Sequence, residues 1–210
     1  MKLMKELIEL YKSESSNVFN NLKNEYIQDF VNIIIDAYKD EQKIFICANG
    51  GGVSAVENFV VDMNMHPFVS EDKSSTTSIK RNKFTAISLC NSGGTLTGIT
   101  NDLGFENIYS EQIKFQASKG DVFIGISGSG TSKNIVKGII SAKEMNLKTV
   151  LISRNNNPSC INNLDLIIPI TGDSNFPGQT GKNNNNFHFE DVIIKLSHIA
   201  CGLLKKYVQG

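Results

Sequence analysis

The chain has 210 residues, and its 21 lysines and arginines balance its 21 aspartates and glutamates. This neutral balance argues against nucleic acid or an anionic membrane as a partner. No apolar run approaches the roughly 20 residues that span a bilayer, and the amino end lacks the apolar block of a signal peptide. The four cysteines have no CxxC spacing, which predicts free thiols and a cytoplasmic protein.

Apolar residues recur at helical spacing through the first 40 residues. This spacing predicts two helices, with a weak break at residues 13–17. We interpret residues 1–40 as a helical extension of an α/β core at 41–210, all within one domain. The two helices either cover the sheet or form an oligomer interface.

Beyond residue 40, short apolar runs rich in β-forming residues alternate with helical patterns. The runs predict strands at 43–48, 84–90, 121–126, 149–153 and 164–170. Four helices are predicted in this part of the chain. The first runs from 53 to about 64, the second begins after residue 94, the third ends at about 145, and the fourth runs from about 189 to 207. Such alternation is typical of the α/β class and predicts a doubly wound, five-stranded parallel sheet with helices on both faces.

The turn after the third strand, Ser127-Gly-Ser-Gly-Thr-Ser132, is the strongest indication of a ligand site. It follows a buried strand and opens a helix, whose free N–H groups and partial positive charge attract anions. Its four hydroxyls exceed the single capping residue that an ordinary turn needs. No lysine stands where a P-loop has one. The turn therefore predicts a site for a phosphate monoester.

A second glycine-rich turn, Asn49-Gly-Gly-Gly52, follows the first strand. It lacks the GxGxxG spacing of dinucleotide-binding proteins, and no acidic residue stands at the usual offset. No nucleotide cofactor is expected. Because ligands bind beyond the carboxyl ends of parallel strands, both turns are expected to contribute to one site.

Together with Thr100-Asn-Asp102-Leu-Gly-Phe105 and a histidine in the last helix, these turns resemble the SIS (sugar isomerase) domain family. The phosphoheptose isomerases are the most similar members. The resemblance implies conversion of sedoheptulose 7-phosphate to a heptose 7-phosphate for cell-surface polysaccharide such as lipopolysaccharide or capsule. It also implies homotetramers with sites between subunits, and zinc in some members.

The resemblance implies the following substrate- and phosphate-binding residues: Asn49, Gly50, Gly51, Asn58, Asp102, Ser127, Gly128, Ser129, Thr131 and Ser132. The family's catalytic histidine and glutamate fall on Asn58 and Asp62, and its serine after Asn-Gly-Gly falls on Gly52. A glutamine of the last helix is replaced by Glu190, whereas the histidine eight residues later is kept as His198. Asp62, Glu190 and His198 are therefore the expected catalytic residues, with Asp62 as the base.

We hypothesise a zinc site of Asp62, Glu190 and His198, completed by His66 or His188. Eight residues advance a straight helix by about 12 Å, too far for Glu190 and His198 to share one ion. Either Glu190 precedes the helix, or the two residues serve the sites of different subunits. Loss of metal binding is the alternative.

Three functions remain open from the sequence. The first is isomerisation of a heptulose phosphate through an enediol. The second is a non-catalytic sugar-phosphate sensor or scaffold, which the changed catalytic positions favour. The third is isomerisation of another sugar phosphate, with specificity set by the polar loop 66–82 with Lys73, Lys80, Arg81 and Lys83; the alternative is that this loop is simply solvated.

Overall fold

The structure is a computed structural model, and it describes residues 2–76 and 84–210. The helices are α1 (Lys2–Asn20), α2 (Asn24–Lys39), α3 (Gly52–Met65), α4 (Gly93–Leu103), α5 (Ile108–Gln116), α6 (Lys133–Glu144) and α7 (Asn186–Gln209). The strands are β1 (Lys43–Ala48), β2 (Thr85–Ser88), β3 (Val122–Ile126), β4 (Lys148–Ser153) and β5 (Leu166–Pro169).

The five strands form one parallel sheet in the order β2-β1-β3-β4-β5. The predicted α/β class and five-stranded parallel sheet are confirmed. The chain moves from β1 outward to β2 and then returns to the other side of β1 for β3. The carboxyl ends of β1 and β3 therefore flank a topological switch point, where sheets of this kind bind ligands.

Alternate residues of β1 enter two different hydrophobic cores. Ile44 and Ile46 pack in the core that includes residues of α2, α3 and α7, whereas Phe45 and Cys47 pack in the core that includes residues of α5 and α6. This follows from the two-residue period of a strand, whose successive side chains point to opposite faces. Both faces of the sheet are covered, so its edge at the carboxyl ends is left for ligands.

The predicted break at residues 13–17 is wrong, because α1 runs through it from Lys2 to Asn20. Ser13 and Ser16 do not interrupt the helix, because their hydroxyls donate to the carbonyl oxygens of Leu10 and Lys12 in the preceding turn. The break between α1 and α2 lies after Asn20.

The long segment 172–186 is held in place by α1. Glu14 of α1 is buried, and its carboxylate accepts hydrogen bonds from the Ser174 hydroxyl at 2.7 Å and the Asn175 N–H at 2.8 Å. His188 of α7 lies 3.2 Å from the same carboxylate. Burial opposes the charge of Glu14, but these hydrogen bonds outweigh it and hold the pKa of Glu14 below its usual value.

The polar loop 66–82 is described only as far as residue 76. A short 3-10 turn spans His66–Phe68, and Val69 pairs with Thr76 in an isolated antiparallel bridge. The remainder of the loop, including Lys80, Arg81 and the adjacent Lys83, lies outside the described residues. In the ranges 2–76 and 84–210, none of the helices has the length and apolar character needed to cross a membrane.

Candidate functional site

A cavity of about 170 Å³ opens at the switch point between β1 and β3. Its lining residues come from the ends of three strands and the start of α7: Asn49, Gly52, Ile126, Ser127, Gly128, Ser129, Ser132, Arg154, Asn186, Phe189 and Glu190. A larger cavity of about 460 Å³ lies at the opposite edge of the sheet. Ligands of parallel sheets bind at the carboxyl edge, where a second cavity of about 480 Å³ also adjoins Asn49. The 170 Å³ cavity is the candidate site because the serines of the predicted phosphate turn line it.

The hydroxyls of the predicted phosphate turn surround the start of α6. Ser127 Oγ donates to Ser132 Oγ at 3.1 Å, and Thr131 Oγ1 donates to Ser129 Oγ at 3.0 Å. Ser132 occupies the N-cap position, but its side chain makes no capping hydrogen bond. The start of α6 thus lacks a cap from Ser132 and lies beside a concave, hydroxyl-lined surface, which is an arrangement suited to an anion. We call residues 127–132 the cradle.

The end of β1 is fixed to the start of α6 by two side-chain amides. Asn49 Nδ2 donates to Asn134 Oδ1 at 3.0 Å, and Asn134 Nδ2 donates back to Asn49 Oδ1 at 2.8 Å. Asn134 is fully buried, so this reciprocal pair joins the two glycine-rich turns rigidly. The turns after β1 and β3 therefore line one cavity.

Glu190 places its carboxylate against the amino end of α3. A Cβ atom built on Gly51 would lie 2.7 Å from Glu190 Oε2, so a larger residue at this position would displace the carboxylate. Gly50, beside it, adopts a positive φ of 57° that also favours glycine. A negative charge is stabilised at the N-terminus of a helix, and α3 begins at Gly52. This location accommodates a carboxylate where the family resemblance implies a glutamine.

Arg154 also lines the cavity, and sequence reasoning did not select it. It directly follows β4, and its backbone N–H donates to the carbonyl oxygen of Gly128 in the cradle. A charged residue at the carboxyl end of a parallel strand is the signal that identifies it as a site residue.

Asp62 lies in a separate cluster on α3 and α7. Its Oδ2 accepts from Asn58 Nδ2 at 3.0 Å and lies 3.3 Å from His198 Nε2. Its Oδ1 lies 3.3 Å from His66 Nε2. The Asp62 side chain is mostly buried, but the two histidine side chains are 49% and 58% exposed. We call these four residues the Asp62 cluster.

The structure does not bring every predicted residue to these two places. His188 is fully buried against Glu14 and does not join the Asp62 cluster. Asp102 is exposed on α4, where it accepts a hydrogen bond from Asn101. The alternative that Glu190 precedes the last helix is wrong, because α7 begins at Asn186. Glu190 and His198 are thus separated by about 12 Å of continuous helix.

The predicted zinc site does not assemble within the described part of this chain. Glu190 lies at the cradle, and the two histidines approach different oxygens of Asp62 rather than a common point. Across residues 2–76 and 84–210, no group of three or more His, Cys, Asp or Glu side chains is arranged to hold a metal ion. Zinc needs several such donors at about 2.0–2.3 Å from one centre.

The comparisons with known proteins agree with the fold. The SIS domain profile matches residues 11–153. The phosphoheptose isomerase of Geotalea daltonii is 32% identical over 180 residues, covering 86% of this chain and 83% of that protein. The phosphoheptose isomerase of Citrifermentans bemidjiense is 30% identical and covers 88% of this chain and 86% of that protein.

Solved structures show the same architecture. The phosphoheptose isomerase of Neisseria gonorrhoeae superposes with a TM-score of 0.78, covering 97% of this chain and 99% of that chain at 20% identity. The corresponding Francisella tularensis structure has a TM-score of 0.79 and covers 98% of this chain and 100% of that one at 16% identity. From the profile match and these relatives, the chain belongs to the SIS domain family.

Proposed function

We propose that this chain, a sugar-phosphate isomerase, converts sedoheptulose 7-phosphate to D-glycero-D-manno-heptose 7-phosphate. The observation that supports a phosphorylated substrate is the hydroxyl-rich cradle at the start of α6, which faces a cavity at the switch point of the sheet. The choice of a heptulose is supported by the curated relatives, which are named phosphoheptose isomerases.

The proposed reaction moves one proton between adjacent carbons of the sugar. Asp62, held by Asn58 and flanked by two histidines, accepts the proton from C1 of the ketose and returns it to C2 of the enediol. His198 lies on the outer side of Asp62 and is exposed, so it is placed to exchange a proton with the carbonyl oxygen. Each of these steps is assigned to a group of the protein.

We propose that the complete site forms between subunits of a homotetramer. In one chain, none of the four residues of the Asp62 cluster is among those lining the cradle cavity, and Glu190 and His198 are about 12 Å apart on α7. A neighbouring subunit that presents its own Asp62 cluster would supply the reacting end. Exposed apolar side chains on α1, including Leu3, Met4 and Ile8, offer a surface for such an assembly.

The wider setting is also a proposal. We place the enzyme in the cytoplasm, as one domain over residues 1–210, making heptose for cell-surface polysaccharide. All four cysteines are free thiols, three of them buried, which suits a reducing compartment.

Proton exchange with solvent tests the proposed reaction. The purified protein is incubated with sedoheptulose 7-phosphate in deuterated water, and deuterium entry at C1 is followed by NMR. Exchange is expected with the native chain and with Asp29→Asn, a variant of an exposed helical aspartate. Exchange should be lost in Asp62→Asn, which keeps the shape of the side chain but removes the base.

The outcomes separate the competing functions. Absence of exchange in the native protein, with or without added zinc, would contradict isomerisation of this heptulose. Binding of the sugar phosphate without exchange would then favour a sensor or scaffold. Exchange with a different sugar phosphate, and none with sedoheptulose 7-phosphate, would keep the reaction class and change the substrate.

A further inference from the structure

We propose that Arg154 is a direct ligand of the substrate's phosphate group. The inference rests on the proposed function, because it assigns one more residue to the same phosphate site. The cradle supplies hydroxyls and N–H groups but no full positive charge, whereas Arg154 reaches the same cavity from the end of β4.

One edge of the Arg154 guanidinium has no hydrogen-bond partner within residues 2–76 and 84–210. Among the described residues, Nε is buried and without a partner. A Cβ atom built on Gly128 would lie 3.0 Å from Nε and 3.3 Å from Nη2. Both nitrogens of this edge therefore lie beside the glycine of the cradle, where a larger residue would displace them. A guanidinium edge with two parallel N–H groups matches two oxygens of a phosphate.

The opposite nitrogen of Arg154 anchors the side chain. Nη1 donates to the carbonyl oxygen of Asn183 at 2.8 Å, and Asn183 Nδ2 donates back to the carbonyl oxygen of Arg154 at 2.8 Å. The segment that carries Asn183 is in turn held by Glu14 of α1. Arg154 is thus preorganised, with one nitrogen used for positioning and one edge left for an anion.

The charge of Glu190 gives Arg154 a second role. Glu190 lines the same cavity and accepts a hydrogen bond from Asn186 Nδ2 at 3.2 Å. A carboxylate near a phosphate dianion disfavours binding, and a guanidinium in the same cavity offsets that repulsion. Burying a phosphate beside Glu190 without a cation would leave uncompensated negative charge. We infer that Arg154 permits the cavity to contain both Glu190 and the phosphate.

Binding measurements on charge variants test the assignment. The affinities for sedoheptulose 7-phosphate and for inorganic phosphate are measured by calorimetry in the native protein, Arg154→Met, Arg154→Lys and Lys119→Met. Lys119 is an exposed cation at the opposite end of β3, so it is a matched control. We expect Arg154→Met to weaken both ligands by about tenfold or more. Arg154→Lys should recover part of the loss, because charge returns without the two-nitrogen edge.

A second variant separates phosphate binding from a purely structural role. Arg154→Met also removes the contact with Asn183, so its loss of affinity could arise from a displaced loop. Adding Glu190→Gln to Arg154→Met removes the carboxylate that Arg154 offsets, and we expect it to restore part of the affinity. A displaced loop would not be repaired by this change.

Each outcome has a distinct meaning. If the native protein binds both ligands and Arg154→Met binds them equally well, the role of Arg154 is wrong while the proposed function stands. If Arg154→Met is weakened but Glu190→Gln restores nothing, the direct contact with phosphate is contradicted. If the native protein binds neither ligand, the phosphate site itself is wrong and the inference falls with it.

Discussion

The cradle and the Asp62 cluster are built in different ways. The cradle consists of small side chains and backbone at the start of α6, and Ser127 is only 5% exposed. The Asp62 cluster consists of longer side chains on the surface of α3 and α7, and the His198 side chain is 58% exposed. The recognition end is assembled within one chain, whereas the two histidines of the reacting end are about half exposed to solvent.

This difference indicates which part of the site depends on assembly. Part-buried hydrogen bonds within the chain, such as the Asn49–Asn134 pair, fix the cradle without a second subunit. The carboxylate of Asp62 is mostly buried, but its two histidine partners are about half exposed, so the interaction is weakened by water and would strengthen if a partner subunit covered it. Binding and turnover should therefore respond separately to substitutions in the two regions.

The largest expected effect comes from the Asp62 cluster. Asp62→Asn should lower kcat by about 100-fold to 10,000-fold, because it removes the proposed general base. The affinity for sedoheptulose 7-phosphate should change little, since Asp62 does not line the cradle cavity. Steady-state kinetics and calorimetry on the same preparation measure the two quantities.

Asp29→Asn is the control for the loss of an aspartate, since Asp29 is exposed on α2. A fall in affinity as large as the fall in kcat would contradict the separation of the two regions. Unchanged kcat would remove Asp62 from the mechanism.

The second effect is expected at the cradle. The double variant Ser127→Ala/Ser132→Ala should weaken sedoheptulose 7-phosphate binding by about tenfold to 100-fold, because each hydroxyl is placed to donate to a charged phosphate oxygen. Binding is followed by calorimetry, with Ser118→Ala as control. Ser118 is exposed and precedes β3, at the edge of the sheet opposite the cavity. Equal affinity in the double variant would contradict phosphate binding by these hydroxyls.

The fold could be predicted from the sequence to a large extent. Alternating β-rich and helical patterns predict the parallel sheet because both periods are local properties of the chain. The cradle is also local, since a strand, a turn and a helix follow one another within residues 122–144. The break predicted at 13–17 fails because serine hydroxyls satisfy helical carbonyl groups, which composition alone does not reveal.

The reacting end was less predictable because it depends on distant pairings. His66 reaches Asp62 from four residues along the chain, but His198 reaches it only through the packing of α3 against α7. His188 has a suitable sequence position, yet it turns toward Glu14 of α1, 174 residues earlier. Arg154 was missed because its place in the cavity depends on the order of β3 and β4 in the sheet.

A smaller effect is expected at the support of the cradle region. The Glu14 carboxylate contacts Ser174, Asn175 and His188. Glu14→Gln replaces it with an amide, whose NH₂ group would face one of these partners. The change should lower the free energy of unfolding at pH 7 by about 1–3 kcal/mol, measured by urea denaturation. Glu6→Gln is the control, since Glu6 is exposed on α1. A loss of stability as small as that of the control would contradict the role of Glu14 in holding segment 172–186.

The smallest effect is the dependence of this contribution on pH. Hydrogen bonds from Asn175 and Ser174 hold the pKa of Glu14 below its unfolded value despite burial. A carboxyl group with a lowered pKa stabilises the folded state above its unfolded pKa, and this stabilisation is lost as the pH falls through the folded pKa. The difference in unfolding free energy between the native chain and Glu14→Gln should therefore be constant near pH 7 and shrink below about pH 4.5. Urea denaturation at several pH values from 7 to 3 measures this difference in unfolding free energy. A difference that grows on acidification would contradict the prediction and show that Glu14 is protonated in the folded protein. Since Asp62 lies outside this network, Asp62→Asn should leave the trend unchanged, which would extend the separation of the two regions from function to stability.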